Sequence, residues 1–126
     1  MKLNFRKIAA ALAFIIGAMA VFAGGQVVLG KVMDYYVIDW LPIYNLIAGF
    51  IALLISATLI WKDSKYAMPL AISTLASHGI VMLILQVAYQ DVVAPDSIKA
   101  MIVRIVAWVI ILSLILVEKR KDKQLN

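Results

Sequence analysis

The sequence contains no cysteine, which excludes disulfide bonds, thiolate metal sites and thiol catalysis. Charge is also scarce: Asp, Glu, Lys and Arg make up 15% of the 126 residues, whereas soluble domains contain about 25%. Four long apolar runs contain no Asp or Glu at all. Because the runs offer no carboxylate pair and no nucleophile beside a base, we expect a protein that is not an enzyme.

Apolar residues, in contrast, make up 65% of the chain. They form runs that approach the roughly 20 residues a helix needs to cross a bilayer. We predict an all-α membrane protein, with four antiparallel transmembrane helices in a bundle that forms a single domain. The predicted spans are residues 8–30, 41–61, 66–89 and 98–117, followed by a charged, solvated tail at 118–126.

The first run also has features of a secretory signal peptide, namely a basic start and a small-residue site that ends at Ala23. The run continues past that site to Gly30, which is longer than the apolar core of a signal peptide. We therefore expect this segment to be retained as a helix.

Small residues recur at helical spacing in the first two runs and predict close helix packing. We expect the first stripe to pack within the chain, with a dimer face as the alternative, and we expect Ile111 to face lipid. The two stripes are Ala13, Gly17, Ala20 and Gly24, and Asn45, Gly49, Ala52 and Ser56.

Basic residues indicate the orientation. In a four-span topology one side holds Lys31, Lys99 and the embedded Arg104, together with four aspartates. The positive-inside rule therefore places both termini in the cytoplasm, in a multi-pass protein of the plasma or inner membrane. The other side holds Lys2, Arg6, Lys7, Lys62, Lys65, Lys119, Arg120, Lys121 and Lys123.

The sequence pI of about 9.6 does not indicate a nucleic-acid partner, because the basic residues flank apolar runs as they do in membrane proteins. The expected partner is the lipid bilayer. A homo-oligomer or a larger membrane complex remains open.

Arg104 is the most informative residue. The charge-free residues 105–117 cover only about 20 Å as a helix, so a span of about 30 Å must include Arg104. An arginine at the centre of a span costs roughly 2.5–3.5 kcal/mol. Three interpretations follow: pairing with Asn45 or Gln86, anchoring of an anionic or carbonyl-bearing ligand, or extension to the headgroups. The last would place it beside Asp39, Asp91 or Asp96.

All four runs carry polar side chains in their outer half, which predicts a shallow polar pocket open to the outside. Gln26 and Asn45 lie near the outer ends of the first two helices. Trp108 either stacks on the guanidinium or fills a packing gap. The candidate ligand-binding residues are Arg104, Asn45, His78, Gln86 and Trp108.

His78 is expected to be an interior histidine, bonded to Thr74 or to a carbonyl group. A metal or haem role would require further ligands, and Met82 and Met101 are the only plausible ones in the runs. We therefore predict no metal site and no cofactor.

The leading function is a non-enzymatic accessory subunit, or a protein that binds a lipid or a small hydrophobic ligand. A small oligomeric transporter is the alternative, since the chain resembles the small multidrug exporters in size and number of spans. The glutamate that those exporters carry in their first helix has no counterpart here. A membrane electron-transfer or haem-binding subunit that uses His78 is the second alternative.

Overall fold

The structure is a computed structural model that describes residues 4–125. It is 79% helical, and no strand occurs among the described residues. Each of the four helices contains a stretch long and apolar enough to cross a membrane, which confirms the predicted all-helical, multi-pass class. The helices, numbered α1 to α4, are Phe5–Val28, Leu41–Trp61, Ala67–Val87 and Pro95–Leu125.

The ends of α1 are set by two capping motifs. Asn4 begins the helix, because its side-chain oxygen accepts a hydrogen bond from the Lys7 backbone N–H at 2.8 Å. At the other end Gly30 has a φ of 107°, a conformation that glycine adopts readily. The Lys31 N–H then bonds back to the Gln26 carbonyl at 2.9 Å, as in a Schellman motif.

α2 has the predicted bounds but contains a π-helix at Ile51–Ser56 that the sequence did not predict. The Ala57 N–H bonds to the Ala52 carbonyl, one residue further back than in an α-helix. This extra residue shifts the buried stripe, so that Ala57 and Ile60 are buried together with Ser56. Among the described residues the buried Ser56 Oγ has no hydrogen-bond partner.

α3 and α4 differ from the prediction at their ends. α3 is slightly shorter than the predicted 66–89. α4 begins at Pro95 rather than at residue 98, because proline suits the first turn of a helix. Asp96 therefore lies within the first turn of the helix.

α4 also continues to Leu125, so the predicted tail is helical as far as the structure describes it. Glu118, the first residue of the predicted tail, accepts a hydrogen bond from the Phe5 N–H at 3.1 Å. The Lys121 ammonium lies 4.3 Å from the centre of the Phe5 ring, a cation–π distance. The start of this segment thus contacts α1, while Lys119, Arg120 and Lys121 are exposed, as predicted for a solvated tail.

α1 and α2 approach each other closely where the two stripes of small residues meet. A Cβ atom added to Gly17 would lie 2.7 Å from the Leu53 nitrogen, and one added to Gly49 would lie 2.7 Å from the Val21 nitrogen. Neither position has room for a side chain. The first stripe therefore packs within the chain, as expected.

Ile111 is fully buried, so the expectation that it faces lipid is wrong. It packs in an apolar cluster with Trp108 and Ile115 of the same helix and with residues of the other three helices. Because almost every face of α4 is apolar, its hydrophobic pattern does not distinguish the buried face from the lipid face.

Two groups of contacts identify the ends of the molecule. At the basic end, which comprises the start of α1, the 62–66 turn and the end of α4, Arg6 Nε lies 3.3 Å from Asp63 Oδ1. At the acidic end, which comprises loops 29–40 and 88–94, Trp40 Nε1 donates to Tyr89 Oη at 3.1 Å.

α2 and α3 are joined by a short turn but approach each other less closely than the other neighbouring pairs. α1 packs against α2 and α4, and α3 packs against α4. A groove of about 270 Å³ lies between α2 and α3.

Two apolar clusters occupy the interior. The cluster towards the acidic end contains Leu41, Leu85 and Met101. The cluster towards the basic end contains Ala52 and Trp108. The buried polar residues discussed next lie between these clusters along the helices.

Candidate functional site

Arg104 is buried, with 6% of its surface exposed. Its Nη1 donates a hydrogen bond of 2.7 Å to Asn45 Oδ1, which joins α4 to α2. Of the three interpretations, extension to the headgroups beside an aspartate is therefore wrong. Pairing with Asn45 is observed, and the role of anchoring a ligand depends on what lies beside the pair.

A cavity of about 80 Å³ lies beside this pair and is here called the acidic-end cavity. This volume holds roughly five or more water molecules, since one water molecule needs about 10–15 Å³. Apolar side chains such as Leu41 also line it. The residues that give it polarity or charge are Gln26, Tyr35, Asn45, Asp96, Ser97 and Arg104.

His78 lies on the far side of the pair and is 3% exposed. Its Nδ1 lies 2.6 Å from Tyr44 Oη, and the same hydroxyl lies 3.0 Å from Ser77 Oγ. Thr74, one of the two partners expected from the sequence, instead donates to the Leu70 carbonyl at 2.8 Å. His78 is an interior histidine as predicted, but Tyr44 is its partner.

A second cavity of about 10 Å³ is lined by Arg104, Asn45, His78 and Trp108. That volume is close to what one water molecule needs. The pair of Arg104 and Asn45 thus lines both cavities, with the acidic-end cavity on one side and His78 on the other. Trp108 is 1% exposed and packs in the apolar cluster, which favours its role as a packing residue.

Gln86 does not join the site. Its side chain is exposed, and it lines neither of the cavities that Arg104 lines. The Gln26 side chain of α1 does line the acidic-end cavity. Its Oε1 accepts a hydrogen bond from Lys31 Nζ at 3.2 Å.

The sequence did not identify three residues that the structure places at the site. They are Tyr35, Tyr44 and Asp96. From the sequence, Asp96 was considered as a partner of an Arg104 that extends to the headgroups. Tyr44 precedes Asn45 directly, and its depth in the second run was the available signal.

Tyr35 and Asp96 both line the acidic-end cavity. Burial, followed by the negative charges of Asp96 and Asp34, raises the pKa of the Tyr35 hydroxyl. The Tyr35 hydroxyl therefore stays neutral at pH 7 and remains a hydrogen-bond donor. The cavity thus combines a guanidinium, a carboxylate and a neutral phenol.

Among residues 4–125, no group of three His or acidic side chains is placed to hold a metal ion. The polar groups of the site are instead a guanidinium, amides and hydroxyls, which suit hydrogen bonding to an acceptor. Comparisons of the chain with family models, curated proteins and solved structures find no match.

Proposed function

We propose that the chain forms a single four-helix antiparallel bundle in the cell membrane, with both termini in the cytoplasm. The support is the unequal distribution of basic residues. Eight Lys and Arg residues of the described part of the chain belong to the basic end, whereas Lys31 lies in a loop of the acidic end and Lys99 lies near the start of α4 beside it. By the positive-inside rule the acidic end, with its cavity, faces outwards.

We further propose that this protein is a non-enzymatic binding or accessory protein, which holds the polar head of a lipid or small amphiphilic ligand in the acidic-end cavity. The observation that carries the proposal is the buried Arg104 at the wall of that cavity. A guanidinium has five N–H donors, and the described residues supply one hydrogen-bond acceptor, Asn45.

A buried cation with unused donors is expensive, both in protein interiors and in membranes. An acceptor that enters the cavity from the outside would offset this cost. Carboxylate, phosphate and carbonyl oxygens are the groups that a planar guanidinium binds best. The apolar part of such a ligand would contact the apolar lining, to which Ile38, Leu41 and Met101 contribute.

The test is the substitution Arg104→Lys. Lysine keeps the positive charge but lacks the planar fork of donors, so it cannot bind an oxyanion in the same way. Both proteins are purified in mild detergent, and the lipids and small molecules that co-purify are quantified by mass spectrometry. We expect the variant to retain at least about tenfold less of one co-purifying species, since a hydrogen bond to a charged group contributes about 1.5–3 kcal/mol, while its melting temperature stays close to that of the parent.

Arg120→Lys is the matched control, because Arg120 is exposed at the basic end. It should retain the same molecules as the parent. Equal retention by Arg104→Lys and the parent would contradict the proposal, and Arg104 would then serve only to pair α4 with α2.

The two alternative functions gain less support. The second cavity is lined by Trp108, which packs in the apolar cluster of the basic end, and by Gly17, which follows Ile16 of the same cluster. That arrangement favours a closed binding site over a path for transport. No described contact favours haem binding by His78.

A further inference from the structure

Two opposite charges line the acidic-end cavity at different depths. Arg104 is buried at its inner wall, whereas Asp96 is exposed at its mouth. Both belong to α4, and their separation of eight positions in the sequence corresponds to about 12 Å along a helix axis. No salt bridge joins them within the part of the chain that the structure describes.

The mouth of the cavity has the features of an ammonium site. Asp96 supplies a carboxylate, and Tyr35, which lines the same cavity, supplies an aromatic ring. Ammonium groups bind to carboxylates and to the faces of aromatic rings. The inner wall, with Arg104 and Asn45, has the opposite preference and suits an oxyanion.

We propose that the ligand of the acidic-end cavity is a zwitterion, with its anionic group at Arg104 and its ammonium group between Asp96 and Tyr35. This inference rests on the proposed function, in which Arg104 anchors the ligand. An arginine side chain on a helix extends towards the N-terminus of that helix, here towards Asp96. Because an arginine side chain is longer than an aspartate side chain, the gap between the two charged groups is shorter than the backbone rise of about 12 Å, which favours a zwitterion whose charges are a few bonds apart.

Two sources supply such a ligand, and the cavity volume of about 80 Å³ suits the polar group of either. One is the headgroup of an ethanolamine phospholipid in the outer leaflet, with the acyl chains outside the cavity. The other is a free small zwitterion such as phosphoethanolamine. The shared chemistry is an oxyanion and a primary ammonium a few bonds apart.

The experiment uses two short-chain phospholipids that differ in one group: phosphatidylethanolamine carries an ammonium, and phosphatidylglycerol carries a neutral diol. Binding of each to the full chain in detergent is measured by native mass spectrometry. We expect the ethanolamine lipid to bind about three- to tenfold more tightly, the range that one partly exposed charge pair or cation–π contact supplies.

Asp96→Asn should remove this preference by weakening only the ethanolamine lipid. Asp91→Asn is the matched control, because Asp91 is an exposed aspartate of the same end that does not line the cavity. It should leave both affinities unchanged. Equal affinities of the parent for the two lipids, or an unchanged preference in Asp96→Asn, would contradict the proposal that the ligand is a zwitterion.

The Arg104→Lys variant distinguishes this failure from failure of the proposed function. If the site is real but not selective for a zwitterion, Arg104→Lys weakens both lipids to the same extent. If Arg104 binds no ligand, the variant weakens neither lipid and both proposals fail. Competition by free phosphoethanolamine identifies a soluble ligand, and binding of the lipid without such competition identifies a membrane lipid.

Discussion

Arg104 and Asn45 are 59 residues apart in the chain and are joined by a hydrogen bond of 2.7 Å. The bond connects the last helix to the second and separates the acidic-end cavity from the small cavity beside His78. A structural role and a ligand-binding role of Arg104 predict different effects of substitutions, because Asn45 takes part directly in the structural role.

Asn45→Leu should destabilise the protein by roughly 1–3 kcal/mol, since it removes the described acceptor of a buried guanidinium. The double variant Asn45→Leu/Arg104→Leu should be more stable than the single variant, because it removes both polar partners. Thermal unfolding in detergent, followed by circular dichroism, measures both effects. Gln86→Leu is the control and should be nearly neutral, because Gln86 is exposed. A double variant no more stable than Asn45→Leu would contradict this account.

Gly17→Ala and Gly49→Ala should each destabilise the protein by about 1–3 kcal/mol or more, because the added methyl group meets the backbone of the facing helix. Gly79→Ala is the control, since a Cβ atom at Gly79 has no neighbour within 4 Å. This change should be neutral or slightly stabilising, as alanine is the better helix former. Melting temperatures of the three variants provide the test, and equal values would show that the α1–α2 seam is incorrectly placed.

Tyr44→Phe should destabilise the protein by about 1–3 kcal/mol, because it removes the hydroxyl that lies between buried His78 and Ser77. Tyr66→Phe removes a hydroxyl from an exposed tyrosine and should have little effect. Chemical unfolding of both variants measures the difference. If both lose the same stability, the contact between Tyr44 and His78 contributes nothing specific.

The proposed orientation predicts which ends react with an impermeant thiol reagent in intact cells. The chain has no cysteine of its own, so each introduced cysteine reports without background. Gln90→Cys at the acidic end should be labelled from outside, and Lys65→Cys at the basic end should be labelled only after permeabilisation. Labelling of Lys65→Cys in intact cells would reverse the topology.

The sequence by itself determined the class of protein. Hydropathy and charge are properties of continuous stretches, so the four helices and the separation of basic from acidic ends could be read along the chain. The bounds of α2 were predicted correctly for this reason, with Pro42 in its first turn. The small-residue stripes also predicted a seam, because only small residues allow such close backbone contact.

The tertiary structure decided which face of each helix points inwards. In a helix that is apolar on nearly every side, the face towards lipid and the face towards protein have the same composition, so no periodic pattern fixes the rotation. This is why Ile111 was assigned to lipid and is buried, and why Gln86 was assigned to the site and is exposed. The π-helix in α2 adds a further rotation that hydropathy does not encode. Which polar residue meets Arg104 therefore depends on how the helices pack, and packing selects Asn45.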